Sequence, residues 1–335
     1  MTSNKVAFLD EVGKPFRIAK ASIPTPGPNE IVVKNHAIAL NPLDHVQYTK
    51  GIMIKSFPAV LGSDIAGEVY AVGSDVTRFK KGDGAVGHAW GLLTGKTTDS
   101  AFALYTNLPA GNCARIPEHI SYTDAAVLPM AIDTACSGLF QSDGLNLKWP
   151  HESTEPTGKL IIVYGASSSV GSMAVQLAHL AGYRVLAIAS RKNADLVKLA
   201  GADMFFDHNE PGVISEICKA IDPALLVGVF DAIGTPASHS ILVPLFDKLD
   251  YNGKYVTTKA TPENLPQGVY SKRMFGLGEF SFPLWQNFVT DALRSGKLKC
   301  LPKPEAVGQG LDKIQAGIDQ LGKGVSGKKL VVELW

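Results

Sequence analysis

Cysteine is scarce in this chain, with four in 335 residues at positions 113, 136, 218 and 300, and no two of them form a C-x-x-C pair. That dispersal excludes a disulfide framework and a metal knuckle, and the four read as small buried hydrophobes. Charge of one sign is not in excess either: 32 Lys and Arg stand against 31 Asp and Glu, a formal net charge of +1. Nucleic acid and anionic membranes are recognised by a basic surface, so neither is expected as a partner, and small molecules are. Long apolar runs are also missing: none approaches the roughly twenty residues of a membrane span. The first residues lack the apolar core of a signal peptide, so a cytoplasmic location is expected. A Gly-x-Ser-x-Gly elbow, a phosphate-binding Walker loop and internal repeats are absent too, which sets aside the mechanisms and architectures they mark.

What is present divides into three stretches, and the length allows two domains with separate cores. Residues 1–126 read as short strands broken by turns, with strands near 31–37 and 67–73 and a stiff loop at Pro24-Thr25-Pro26-Gly27-Pro28. Residues 127–275 alternate strands, at 160–164, 184–189, 203–206, 226–231 and 253–257, with helices such as 194–199 and 213–220. Such alternation predicts an α/β fold, a Rossmann-type doubly wound parallel sheet. Between these stretches, 144–159 reads as an irregular polar loop, a lid or an insertion. Residues 276–335 give helices at 284–294 and 307–321 and a last strand at 328–334, expected to return to the first domain and complete its sheet.

The most informative segment is Gly165-Ala166-Ser167-Ser168-Ser169-Val170-Gly171, which follows the apolar run 160–163 and opens an apolar-periodic helix. A strand, a tight small-residue turn and a helix N-terminus bind a dinucleotide pyrophosphate through backbone N–H groups and the helix dipole. The three serines add hydroxyls that can reach phosphate oxygens. Position 190 lies nineteen residues beyond Gly171, where NAD-binding chains place an Asp or Glu against the ribose 2′-hydroxyl. Here the residues are Ser190, Arg191, Lys192 and Asn193. A hydroxyl, a guanidinium and an ammonium suit a 2′-phosphate, so NADPH is the expected cofactor.

Beyond this loop, the chain carries Asn41-Pro42-Leu43-Asp44, the run 58–69 with Val72-Gly73, Phe79-Lys80-Lys81-Gly82-Asp83, Ile116-Pro117, Ala125-Ala126-Val127-Leu128-Pro129 and Ser326-Gly327-Lys328-Lys329-Leu330-Val331. With these motifs in this order it resembles the medium-chain dehydrogenase/reductases over nearly its whole length. Within them it looks most like the zinc-independent branch of quinone oxidoreductases and fungal trans-acting enoyl reductases. The resemblance implies a GroES-like β-rich catalytic domain (1–126, completed by 276–335) around the nucleotide-binding domain (127–275).

The resemblance also assigns residues. Asp44 stands for the rim of the active site near the nicotinamide, with a helix cap as the alternative; Tyr48 and His45 are candidates for donating a proton or hydrogen bond. Thr134 matches a nicotinamide contact, and His208, Ile233, Ser326 and Lys328 complete the expected cofactor contacts. Related fungal enoyl reductases often carry Trp-Lys where this chain has His45-Val46, which removes a cation from that place. Zinc-dependent relatives bind the metal through a Cys near 43 and a His-Glu pair near 63–64; this chain has Leu43, Ser63 and Asp64, and no metal is expected. Reduction of a conjugated C=C stays feasible without a metal, because the developing charge spreads over an enolate that hydrogen bonds stabilise.

The resulting expectation is an NADPH-dependent, metal-free reductase of an α,β-unsaturated carbonyl or thioester in a fungal polyketide-type pathway. Its substrate is a small molecule or one tethered to an acyl carrier, with a homodimer and a polyketide synthase as possible partners. The alternatives are a quinone oxidoreductase or alkenal-detoxifying reductase, and a non-catalytic NADPH-binding protein of the crystallin kind.

Overall fold

A computed structural model describes residues 3–150 and 155–334; residues 151–154 of the expected loop lie outside the described residues. The chain forms two compact units. One runs up to Met130 and resumes at Leu277, and the other spans Ala131–Gly276.

In the second unit six strands form one parallel sheet, in the order Met204–Asp207, Arg184–Ala189, Leu160–Tyr164, Leu226–Asp231, Lys254–Thr257 and Tyr270–Arg273. Leu160–Tyr164 is buried along its whole length because it has a strand on either side and helices over its faces. The chain winds outward from it to one edge, then crosses back to Leu226–Asp231 and winds to the other. That reversal leaves a crevice at the carboxyl ends of these two neighbouring strands, where doubly wound sheets bind ligands. Ile162, Ile188, Val229, Phe246 and Tyr255 fill the core beneath.

The first unit is built on antiparallel strands. Glu30–Ala39 pairs with Asp64–Val72 on one side and with the C-terminal strand Lys329–Glu333 on the other, so the last residues of the chain share a sheet with the first forty. A helix at 307–321 does not form as expected: it begins at Ile314, and Pro304–Gln309 pair with Lys329–Glu333 as a strand. The reason is local. Gly308 and Gly310 have φ of 150° and 102°, outside the helical range. The helix expected over 284–294 is broken by a π-turn at Trp285–Val289 between the short helices Phe282–Leu284 and Thr290–Arg294. Among the described residues no helix is long and apolar enough to cross a membrane.

Candidate functional site

The crevice of the parallel sheet is lined first by the turn after Leu160–Tyr164. Gly165 has φ +71°, and a Cβ there would lie 2.3 Å from the Ile233 side chain; at Gly171 it would lie 2.1 Å from the Gly165 carbonyl oxygen. Both positions therefore exclude side chains, which lets the backbone turn tightly into the helix Ser169–Leu180. Ser168 caps that helix, its Oγ accepting from the Gly171 N–H at 3.0 Å. Ser169 Oγ is buried without a hydrogen-bond partner. An orphaned hydroxyl costs free energy unless a ligand satisfies it, and here it stands with Val170 in the first helical turn, where the N–H groups and dipole favour a phosphate. These residues fit a dinucleotide pyrophosphate.

At the end of the neighbouring strand, Asn193 Nδ2 donates to Ser167 Oγ at 3.0 Å, tying the glycine turn to the basic turn. Ser190 precedes a 3-10 turn over Arg191–Asn193, and Lys192 is exposed. Arg191 has acidic partners within the fold. Its guanidinium lies 2.7 Å from Glu210 and 3.7 Å from Asp207, and its N–H donates to Asp207 at 3.1 Å. The backbone N–H of Asn209 above all, with that of Arg191, holds the Asp207 carboxyl below its usual range. The Arg191–Glu210 pair is an exposed one, and such pairs contribute little, so a 2′-phosphate can exchange for Glu210. His208 stacks on Tyr164 with ring centres 5.9 Å apart, and its Nδ1 is buried and unpartnered beside this turn.

Sequence reasoning missed Asp231. Its buried carboxylate, at the end of Leu226–Asp231, accepts from the N–H groups of Ile233 (2.9 Å) and Gly234 (3.0 Å), from Ser238 Oγ (2.6 Å) and from Tyr255 Oη (2.9 Å). Burial, then the neighbouring Asp231 charge, pushes the Tyr255 hydroxyl far above its ordinary range, so it stays protonated and donates to Asp231. Asp231 thus folds the turn that places Ile233 against Gly165. An acid closing an apolar strand of the sheet was the available signal. Thr134, on the helix Pro129–Phe140, lies against Gly276, where a Cβ would come 2.4 Å from the Thr134 nitrogen.

In the other unit, the three residues expected to be catalytic have other partners. Tyr48 donates its hydroxyl hydrogen to the Gly13 carbonyl at 3.0 Å and stacks on Phe16, so that proton is committed within the fold. His45 Nδ1 lies 3.1 Å from the Ile318 carbonyl, which can only accept, so the ring carries its hydrogen on Nδ1. Asp44 is fully buried at the start of the helix Pro42–Lys50, one carboxyl oxygen accepting from the Asn41 N–H at 2.7 Å and the other unpartnered. Burial pushes its pKa up to about 7, against the lowering effect of that N–H. Of the C-terminal candidates, Ser326 is exposed and Lys328 pairs with Glu305 at 2.5 Å.

Lys329, the neighbour of Lys328, is the buried one. Its ammonium lies 2.9 Å from Asp64 Oδ2 and donates to Asn41 Oδ1 at 2.5 Å; Asn41 Nδ2 donates to the same Asp64 oxygen at 2.9 Å, and the Met130 N–H donates to the other at 2.7 Å. Asp64 therefore has both oxygens engaged, by two neutral donors and a cation. Among the described residues no group of three or more His, Cys, Asp or Glu side chains could hold a metal ion.

Comparison with known proteins agrees with these two units. Residues 27–118 match the alcohol dehydrogenase GroES-like domain, and residues 169–279 match the zinc-binding dehydrogenase family. The chain is 40% identical to dehydrogenase orsE of Emericella nidulans over 349 aligned positions covering all of both chains. It is 38% identical to trans-enoyl reductase himH of Aspergillus japonicus, covering 91% of this chain and 90% of that protein. An alcohol dehydrogenase superfamily protein from Novosphingobium aromaticivorans shares the fold over the full length of both chains, with a TM-score of 0.80 at 23% identity. With its GroES-like and nucleotide-binding units and its fungal dehydrogenase and trans-enoyl reductase relatives, the chain belongs to the medium-chain dehydrogenase/reductase family.

Proposed function

We propose that this oxidoreductase is an NADPH-dependent, metal-free reductase of a C=C bond conjugated to a carbonyl or thioester, working in a fungal polyketide-type pathway on a free or carrier-tethered substrate. The observation that carries the metal-free reading is the Lys329–Asp64–Asn41 cluster. Leu43 has no donor atom, and Asp64 can bind a metal only by giving up the Lys329 ammonium and two hydrogen bonds inside a buried site. An isolated ketone needs a stabiliser for the alkoxide formed on reduction, whereas a conjugated acceptor spreads that charge. The name of the himH relative favours the same acceptor class.

When bound, the reduced dinucleotide supplies the hydride for the β-carbon of the substrate. Ser168, Ser169 and the first-turn N–H groups hold its pyrophosphate, and Ser190, Arg191 and Lys192 select its 2′-phosphate, with His208 beside them. Asp231 fixes the Ile233–Gly234 turn opposite Gly165. The test is NADPH and NADH oxidation with a panel of enones, quinones, alkenals and enoyl thioesters, with product identification and elemental analysis of the same preparation. Saturated carbonyl products formed by a protein without stoichiometric zinc support the reading. Allylic alcohol as the main product, or activity that follows bound zinc, overturns it.

A further inference from the structure

The GroES-like unit contains a pocket of about 40 Å³ between the segments 53–63 and 91–100. One water occupies roughly 10–15 Å³ measured in this way, so the pocket admits a head group the size of a carboxylate or phosphate and not a ring system. Three polar side chains that are more than nine-tenths buried, Gln47, Ser63 and Ser100, line it. The exposed Lys55 and Lys96 stand at its edge, and among the described residues neither Asp nor Glu lines it. Two cations with no carboxylate among the lining residues are a local asymmetry in a chain whose charges sum to only +1.

Lys55 is held in place. Its Nζ donates to the Leu93 carbonyl at 2.6 Å, and its stem lies against Gly95, where a Cβ would come 2.9 Å from Lys55 Cδ. An ammonium has three donors, which leaves two for a ligand, and an ordered cation loses less entropy on binding than a free one. The same two segments expose Met53, Phe57 and Leu93, and Ile52 beside them is exposed too. Met53 also holds a left-handed φ of 64°, a strained conformation for a residue with a side chain. Cations and buried hydroxyls surrounded by apolar side chains match an anion joined to an apolar chain.

We propose that this pocket is an anion subsite for the substrate, receiving a carboxylate or phosphate carried on an apolar chain; the assignment of that anion to a substrate rests on the reductase reading above. Two matched pairs of probes test it at saturating NADPH: trans-2-octenoyl pantetheine with and without its 4′-phosphate, and a linear enone with and without a terminal carboxylate. The readout is the ratio of kcat/KM for the charged and neutral member of each pair. Lys96→Met and Lys55→Met are expected to lower the ratio about tenfold, the scale of one charge-assisted hydrogen bond, while Lys96→Arg preserves it. The pair that shows the preference identifies the source of the anion. A ratio near one in the parent for both pairs, or a ratio that neither Met variant moves, overturns the subsite. Equilibrium dialysis of octanoyl-4′-phosphopantetheine and of octanoate separates the two ideas: lysine-dependent binding of either without turnover of any probe upholds the anion site and refutes the reductase reading, and turnover with lysine-independent binding of both does the reverse.

Discussion

Asp44→Asn should stabilise the protein, and only above acid pH. In the folded chain the Asp44 carboxyl titrates at about 7, raised from 3.8 chiefly by burial. A folded pKa above the unfolded one means that the folded state holds a proton the unfolded state has released. The group's contribution is then fully favourable below about 3.8 and is lost progressively as pH rises to about 7, beyond which the deficit is constant. A shift of that size corresponds to roughly 4 kcal/mol. The surroundings give the cause: with Asp44 protonated, the Asp64 carboxylate and the Lys329 ammonium balance, and ionisation adds a second buried negative charge. Asparagine is neutral throughout and keeps an oxygen to accept from the Asn41 N–H. Urea unfolding of both proteins from pH 4 to 8, followed by tryptophan fluorescence, reads the difference. The curves are expected within about 1 kcal/mol of each other at pH 4 and separated by about 2–4 kcal/mol in favour of the variant at pH 8. An offset that does not change with pH, or a variant less stable at pH 8, refutes the argument.

Three further outcomes follow from the same contacts. Lys329→Met leaves the Asp64 charge buried without its cation and should cost about 3–5 kcal/mol; adding Asp64→Asn should recover a large part of it in a double-mutant cycle read by denaturant unfolding, and strictly additive losses would show that the pair is not coupled. Glu210→Gln frees Arg191 and should tighten NADPH by about two- to tenfold with NADH unchanged, while Arg191→Asp weakens NADPH alone; fluorescence titration of both cofactors checks this, and equal shifts for the two would remove Arg191 from the 2′-phosphate. Tyr48→Phe removes one hydrogen bond to Gly13 and should cost about 1 kcal/mol of stability with less than a threefold change in kcat; a hundredfold fall in kcat at unchanged NADPH affinity would restore Tyr48 as a proton donor.

The division between what the sequence made legible and what it did not follows the range of the interactions. The glycine turn at 165–171 is readable because its chemistry is contiguous: one strand, one turn and one helix start lie within a dozen residues, with Gly165 required by its positive φ and the Ile233 side chain and Gly171 by backbone approach. The strands at 160–164, 184–189 and 226–231 are readable because burial on both faces demands apolar runs. Side-chain partners set by distant segments are not. Nothing near Arg191 in sequence announces Glu210, which reaches it only because Met204–Asp207 lies alongside Arg184–Ala189. The same holds for Lys329, brought to Asp64 and Asn41 across nearly three hundred residues by the pairing of the C-terminal strand with Glu30–Ala39. At 328–329 two lysines in a row open an apolar strand, and the sequence does not say which one turns inward. The sheet decides: Lys328 stays at the surface with Glu305, and Lys329 becomes the buried cation beside Asp64. The ion pair is thus set partly at position 64, inside a motif the sequence displays, and partly at the far end of the chain, which only the fold brings to it.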